Sequence, residues 1–106
     1  MCDTTSKKKH PCYEELSGRS FKSTLEDIER AVNDFNAHIA AQGEATLNDL
    51  YEYLGLEPIG LGNELGWGAS DAPVRTHFSG SISRRGAPTI HLGFKSYPRN
   101  MRDVLP

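Results

Sequence analysis

The spacing of apolar residues predicts a helix soon after a polar start to the chain. Ser23 and Glu26 have the spacing of a capping box, and Gly43 is placed to end the helix in the left-handed conformation. Between them apolar residues recur every three or four positions, which is typical of an amphipathic helix. These residues are Leu25, Ile28, Val32, Phe35 and Ile39.

A second, shorter helix follows after a link of two to three residues. Thr46 is expected to cap it, with Asp49 at the reciprocal position, and Gly55 and Pro58 are expected to end it. Its predicted inner face consists of Leu47, Leu50, Tyr51 and Leu54. The glycine-rich segment 59–68 predicts one helical turn within a loop, with Trp67 packed beneath it.

The last third of the chain alternates apolar and polar residues, which predicts a β-hairpin. Apolar residues occupy even positions on both sides of residues 84–87. They share one face only if paired positions have an even sum, so the loop must have odd length. We expect His77 to oppose Lys95 and His91 to oppose Ser81, which places the two histidines about 13 Å apart.

These elements predict an α+β fold of one domain. Two N-terminal helices and a short Gly-rich helical turn are expected to pack on a C-terminal antiparallel β-hairpin or small sheet, because a hairpin alone is marginal in water. We assign residues 1–20 to a polar, mobile leader, residues 21–98 to the single α+β domain, and residues 99–106 to a C-terminal tail.

Charge is divided unevenly along the 106 residues, although the formal net charge is only −2. Residues 23–66 contain nine carboxylates and a single Lys or Arg residue, Arg30. After residue 66 the balance reverses, with six basic residues against Asp71 and Asp103. The near-neutral total argues against a strong general polyanion binder, because such affinity grows with the number of phosphates neutralised.

Targeting and redox signals are absent from the sequence. No stretch approaches the roughly 20 apolar residues of a membrane span, and the N-terminus lacks the apolar core of a signal peptide. We therefore expect a cytoplasmic protein without membrane contact. Cys2 and Cys12 with His10 offer three ligands at irregular spacing, whereas structural zinc needs four, so we expect no metal.

Common catalytic and nucleotide-binding motifs are also missing. Gly60, Gly62 and Gly66 miss the dinucleotide spacing by one residue and follow a helix rather than a strand. No P-loop, HExxH, GxSxG or CxxC string occurs. We therefore expect a protein that is not an enzyme and has no cofactor, with an unidentified small enzyme as a further alternative.

One string of motifs resembles a known family. It runs from Thr46 to Leu56, continues with Gly62 and Leu65-Gly66-Trp67, and ends at Arg85-Gly86-Ala87-Pro88. This string resembles uncharacterised small proteins of phages and integrative elements of Gram-positive bacteria, over about residues 24–98. The resemblance implies an accessory gene of a mobile element and assigns no activity. Its motif positions are Thr46, Asn48, Asp49, Tyr51, Gly55, Leu65, Gly66 and Trp67.

Basic residues of the predicted hairpin form the candidate partner-binding cluster, namely Arg84, Arg85, Lys95, His77 and His91. We expect a non-catalytic protein-binding or regulatory module with an unknown protein partner. Weak nucleic-acid binding through the basic hairpin is the alternative, although Phe78 and Phe94 face inward and leave no stacking platform. The open sheet edges suit a monomer or an edge-paired homodimer.

Overall fold

The computed structural model describes residues 9–82 and 88–104. Within these ranges the chain forms three helices, α1 (Leu25–Gln42), α2 (Leu47–Leu54) and α3 (Met101–Val104). It also forms seven strands, β1 (His10–Glu14), β2 (Arg19–Ser23), β3 (Glu44–Thr46), β4 (Leu65–Gly68), β5 (Thr76–Ile82), β6 (Pro88–Phe94) and β7 (Arg99–Asn100). Short 3₁₀ turns at Gly60–Asn63 and Ala69–Asp71 flank β4.

The strands form two sheets. Sheet A has the order β2-β1-β6-β5, with β1 parallel to β6 and the other neighbours antiparallel. Sheet B has the order β3-β4-β7 and is antiparallel throughout. The N-terminal strand β1 therefore lies in the middle of sheet A, between its hairpin partner β2 and the C-terminal strand β6.

The predicted fold class is wrong in its arrangement. Strands lie at both ends of the chain and form two sheets, whereas we expected the helices to pack on a single C-terminal hairpin or small sheet. The sequence of β1 does not predict a strand, because its two buried positions are Cys12 and the charged residue Glu14, and Pro11 precedes them. A strand without apolar alternation gives no periodic signal. The proposed boundaries of leader, domain and tail stay a prediction.

The helix ends follow from local sequence. Gly43 and Gly55 take the left-handed conformation, with φ of 87° and 81°, as predicted. The capping box of Thr46 and Asp49 is present at α2. At α1 the capping residue is Thr24, which accepts from the Asp27 N–H at 3.0 Å, so the capping box predicted from Ser23 is wrong by one residue.

The C-terminal hairpin exists, and its paired positions have an even sum as predicted. Its register differs by two residues from the expected one, because His77 opposes Gly93 rather than Lys95. Residues 83–87 between the strands lie outside the described ranges. Phe78 and Ile90 face α1, and Leu92 and Phe94 are buried beside it.

The apolar core has two parts. In one, α1 covers sheet A, and Ile28 and Val32 pack with Cys12 and Leu92. The other surrounds Trp67, which is fully buried on β4 and donates from Nε1 to the Ser96 carbonyl at 3.0 Å. Its largest members are Phe35, Ile39, Leu47, Leu50, Tyr51, Trp67 and Phe94.

Candidate functional site

The predicted partner-binding cluster is only partly described. Arg84 and Arg85 lie outside the described residues. His77 and His91 both belong to the face of sheet A turned away from α1, which we call the outer face. His77 opposes Gly93 and His91 opposes Ser79, so the histidines are diagonal neighbours. The predicted separation of about 13 Å between the two histidines is therefore wrong, because diagonal neighbours on adjacent strands are about 7–8 Å apart. Lys95 is exposed beyond the end of β6.

Asn48 of the family-like motif has a structural role. Its Nδ2 donates to the Ile59 carbonyl at 3.0 Å, and its Oδ1 accepts from the Ile59 N–H at 2.8 Å. A Cβ on Gly62 would lie 1.9 Å from the Asn48 Oδ1, so this position requires glycine for the bond to persist. Asn48 thus fastens the segment after α2 to the helix itself.

Gly66 allows β3 and β4 to meet closely. A Cβ there would lie 2.2 Å from the carbonyl oxygen of Ala45 and 2.6 Å from the sulfur of Met101. Leu65 is half-buried and Trp67 is fully buried on either side of it. The motif residues therefore build the core and the turns, and we assign none of them to a binding surface.

Tyr51 belongs to a buried polar cluster that sequence reasoning missed. Its hydroxyl donates to Glu14 Oε1 at 3.0 Å, and the Ser17 hydroxyl also donates to that oxygen. Glu14 accepts further bonds from the backbone N–H groups of Leu16 and Ser17, at 3.0 and 2.8 Å. The carboxylate is fully buried with four donors, which is the usual condition for burying a charge.

The same cluster perturbs Tyr51 and holds Arg19. Burial first, and the Glu14 charge second, raise the pKa of Tyr51 to about 12. The Arg19 guanidinium lies 4.7 Å from the centre of the Tyr51 ring and donates to the Glu57 carbonyl at 2.7 Å. The cluster thereby ties the β1–β2 hairpin to α2. No sequence signal pointed to it, because Glu14 resembles any solvated acid.

The free edge of β5 is the feature with the clearest binding geometry. The Lys95 N–H bonds to the Arg75 carbonyl at 2.9 Å, which makes this pair a hydrogen-bonded one. Since such pairs alternate along an antiparallel ladder, His77 and Ser79 direct their backbone groups toward β6. The backbone groups of Thr76, Phe78 and Gly80 therefore point away from the sheet.

One end of this edge is closed by α1. The side chain of Asn36 bonds both backbone groups of Val74, accepting from its N–H at 2.8 Å and donating to its carbonyl at 3.1 Å. Within residues 9–82 and 88–104, no protein group bonds the outward backbone groups of Thr76, Phe78 or Gly80. We call this run of three residues the open edge. It begins directly after Val74, whose backbone groups are bonded by Asn36.

The other sheet edges have features that discourage pairing. β2 carries Arg19 and the exposed Lys22, and charged residues protect an edge strand. In sheet B the edge strands β3 and β7 have only three and two residues. β5 has seven residues with neither Pro nor a charged side chain. Among the described strands it therefore has the least protected edge.

A groove lies between α1 and β5, on the inner side of the open edge. Its volume is about 440 Å³, and it is lined by Glu29, Val32, Asn33, Thr76 and Phe78. Val32 and Phe78 give it an apolar floor, whereas the exposed Glu29 supplies a negative charge. A strand added to β5 would direct alternate side chains toward this groove.

The outer face of sheet A presents rings on its two central strands. The ring centres of Tyr13 on β1 and His91 on β6 are 5.4 Å apart, with the planes inclined by 52°. Farther along, a Cβ on Gly93 would lie 2.5 Å from His77 Nε2 and 2.7 Å from Glu15 Oε1. Gly93 therefore leaves the space in which that imidazole and carboxylate converge.

A third surface lies beside α2. A depression of about 240 Å³ is lined by His38, Asp49, Glu52 and Tyr53, and His38 Nδ1 lies 3.1 Å from the Tyr53 hydroxyl.

In the described part of the chain no group of three or more His, Cys, Asp or Glu side chains is arranged to hold a metal ion. None of its helices is both long and apolar enough to cross a membrane.

Comparison with known proteins identifies a family for the chain. The family model of DUF6353, a family of unknown function, matches residues 1–103. No curated protein and no solved structure matches the chain.

Proposed function

Since the chain belongs to DUF6353, a family of unknown function, we propose its role from its own geometry. The protein is a non-catalytic protein-binding module that accepts an extended segment of a partner as a fifth strand of sheet A. The open edge of β5 carries this proposal. Strand addition supplies affinity through main-chain hydrogen bonds, and neighbouring pockets supply specificity through alternate side chains.

The geometry at Val74 supports strand addition because Asn36 already bonds this edge as a strand would. Its amide supplies one acceptor and one donor to the two backbone groups of Val74. The next outward residues, Thr76, Phe78 and Gly80, continue the same row of donors and acceptors. An extended peptide can therefore begin beside Asn36 and run along the open edge.

The groove defines the kind of segment that fits. A large apolar side chain of the added strand would contact Val32 and Phe78, and a Lys or Arg beside it would lie near Glu29. The predicted ligand is therefore an extended peptide with alternating apolar residues and at least one basic residue. The acidic character of the chain between residues 23 and 66 favours the same choice of charge.

Gly80 provides the test of this proposal. Gly80→Pro removes an outward backbone N–H while leaving the hydrogen bonds to β6 in place. Gly80→Ala keeps the N–H and is the matched control, because the nearest atom to a Cβ there is 3.9 Å away. Peptides selected from a random displayed library on the wild-type protein are then measured against both variants.

The expected result is that selected peptides bind the wild-type protein and Gly80→Ala equally but lose affinity for Gly80→Pro. Charge reversal by Glu29→Lys should lower the affinity of peptides with a basic residue. Equal binding to Gly80→Pro overturns the proposal. A dimer that forms through the same edge, and dissociates in Gly80→Pro, would also contradict it, because the occupant would then be a second copy.

We also propose a cellular setting for this module. The protein acts in the cytoplasm as an accessory factor of a mobile genetic element of Gram-positive bacteria. The resemblance of the motif between Thr46 and Trp67 supports this setting. The genes that surround members of the family provide the test, since phage or integrase genes should recur beside them, and a recurrent chromosomal operon would contradict it.

A further inference from the structure

The outer face of sheet A is a second surface with binding chemistry, separate from the open edge. Its side chains come from all four strands, because β2, β1, β6 and β5 contribute Ser20, Tyr13, His91 and Ser79 in one cross-strand row. Ser20 and Ser79 are exposed, and Tyr13 and His91 are partly exposed. This row is polar and aromatic rather than apolar.

The rings lie where an extended ligand would cross the sheet. Tyr13 and His91 occupy the two central strands, and their ring centres are 5.4 Å apart. Four-stranded sheets that bind single-stranded nucleic acid use aromatic residues on the sheet surface to stack bases. Phe78 and Phe94 point toward α1, so the hairpin alone offers no such platform. The strand β1 supplies the missing ring.

Charge on this face suits a polyanion. Lys22 on β2 is exposed and opposes Pro11, which places it on the outer face. Arg75 and Lys95, both exposed, oppose each other one position beyond β5 and β6, and strand alternation places them on the same face as His77. Glu15 is an exposed acidic residue on the same face, beside Gly93 and His77. Cations thus lie on both sides of the row of rings along the strand direction, Lys22 before it and Arg75 and Lys95 beyond it.

We propose that the outer face binds single-stranded nucleic acid, with a base stacked on Tyr13 and phosphates on opposite sides of that base held by Lys22 and, farther along the sheet, by Lys95. Binding is weak and independent of sequence, because stacking accepts every base and few cations contact the backbone. This site does not involve Arg84 or Arg85. It also leaves the open edge of β5 available, so the module could hold a peptide and a strand of nucleic acid together.

The test is fluorescence anisotropy with a labelled oligothymidylate of about twelve nucleotides, a span of the size that small single-strand sites cover. The wild-type protein should bind it at low salt and bind a duplex of equal length more weakly. Tyr13→Ala should weaken binding about tenfold, whereas Tyr13→Phe keeps the ring and should stay within about twofold. Lys22→Ala should reduce the slope of log affinity against log salt by about 0.7.

Two further variants separate this proposal from folding defects and from the open edge. Ser20→Tyr adds a ring next to Tyr13 and should tighten binding several-fold, which a folding defect cannot produce. Gly80→Pro should leave oligothymidylate binding unchanged, so failure at the edge and failure at the outer face are distinguishable. Equal affinity for duplex, or an unchanged affinity in Tyr13→Ala, overturns the proposal, as does the lack of any binding at low salt.

Discussion

The side-chain amide of Asn36 bonds both backbone groups of Val74, at 2.8 Å from its N–H and 3.1 Å from its carbonyl. We predict that Asn36→Ala lowers the free energy of unfolding by about 1–3 kcal/mol, because two hydrogen bonds beside a buried residue are lost. Urea titration measures this change. An unchanged midpoint would show that water replaces the amide without cost.

Asn36→Asp tests the same contact through its charge. A carboxylate still accepts from the Val74 N–H, but its second oxygen faces the carbonyl, which has no proton to donate. The variant should therefore be less stable than wild type at pH 7. Its deficit should shrink as pH falls toward about 4, because the folded variant takes up a proton before the unfolded chain does and the protonated carboxyl can donate again. A deficit that stays constant across this range would contradict the assigned geometry.

Gly66 and Gly60 form a matched pair for testing the packing of sheet B. Gly66→Ala should destabilise the protein by more than about 2 kcal/mol, because its Cβ would lie 2.2 Å from the backbone oxygen of Ala45. Gly60→Ala should have little effect, since no atom lies within 4 Å of a Cβ there. Thermal unfolding compares the two. Similar melting temperatures would contradict the close approach of β3 and β4.

Tyr51 should make stability fall at high pH. The folded state holds its proton up to a pKa of about 12, whereas the unfolded chain releases it near the ordinary tyrosine pKa of about 10. Stability from this group is therefore complete below pH 10 and is lost as pH rises toward 12, by on the order of 2 kcal/mol. Tyr51→Phe removes the titrating group, so the difference between the two stability curves isolates its contribution.

Replacing the Glu14 carboxylate by an amide should destabilise the protein. Glu14→Gln places an NH₂ group against one of the oxygen positions that accept from Leu16, Ser17 and Tyr51. Because every donor at those positions stays in place, the free energy of unfolding of the variant should fall by about 2 kcal/mol or more. Glu15→Gln, at the exposed neighbouring position, should change stability by less than about 0.5 kcal/mol. Equal losses would show that Glu14 is not the buried partner.

The sequence predicted those features that local chemistry determines. Gly43, Gly55 and the Thr46–Asp49 box end or begin helices through contacts within a few residues. The faces of β5 and β6 followed from alternation, but their register did not, because a shift of two residues keeps every side chain on the same face. His77 and His91 consequently came closer together than expected.

The missing parts of the fold depend on contacts between distant residues. β1 pairs with β6 across most of the chain, and its buried Glu14 is satisfied by Tyr51 from α2. No local pattern indicates such a strand, since its inner positions are polar or small. The same strand brings Tyr13 to His91, so the outer face could not be assembled from the hairpin sequence alone.

Amide hydrogen exchange along β5 shows directly whether its edge is open to a partner strand. If the edge is open, the N–H groups of Thr76, Phe78 and Gly80 should exchange rapidly, while those of His77 and Ser79 are protected by β6. A peptide that adds as a strand should then protect the first three. Slow exchange at all five positions in the isolated protein would show that the edge is already covered and would contradict strand addition at β5.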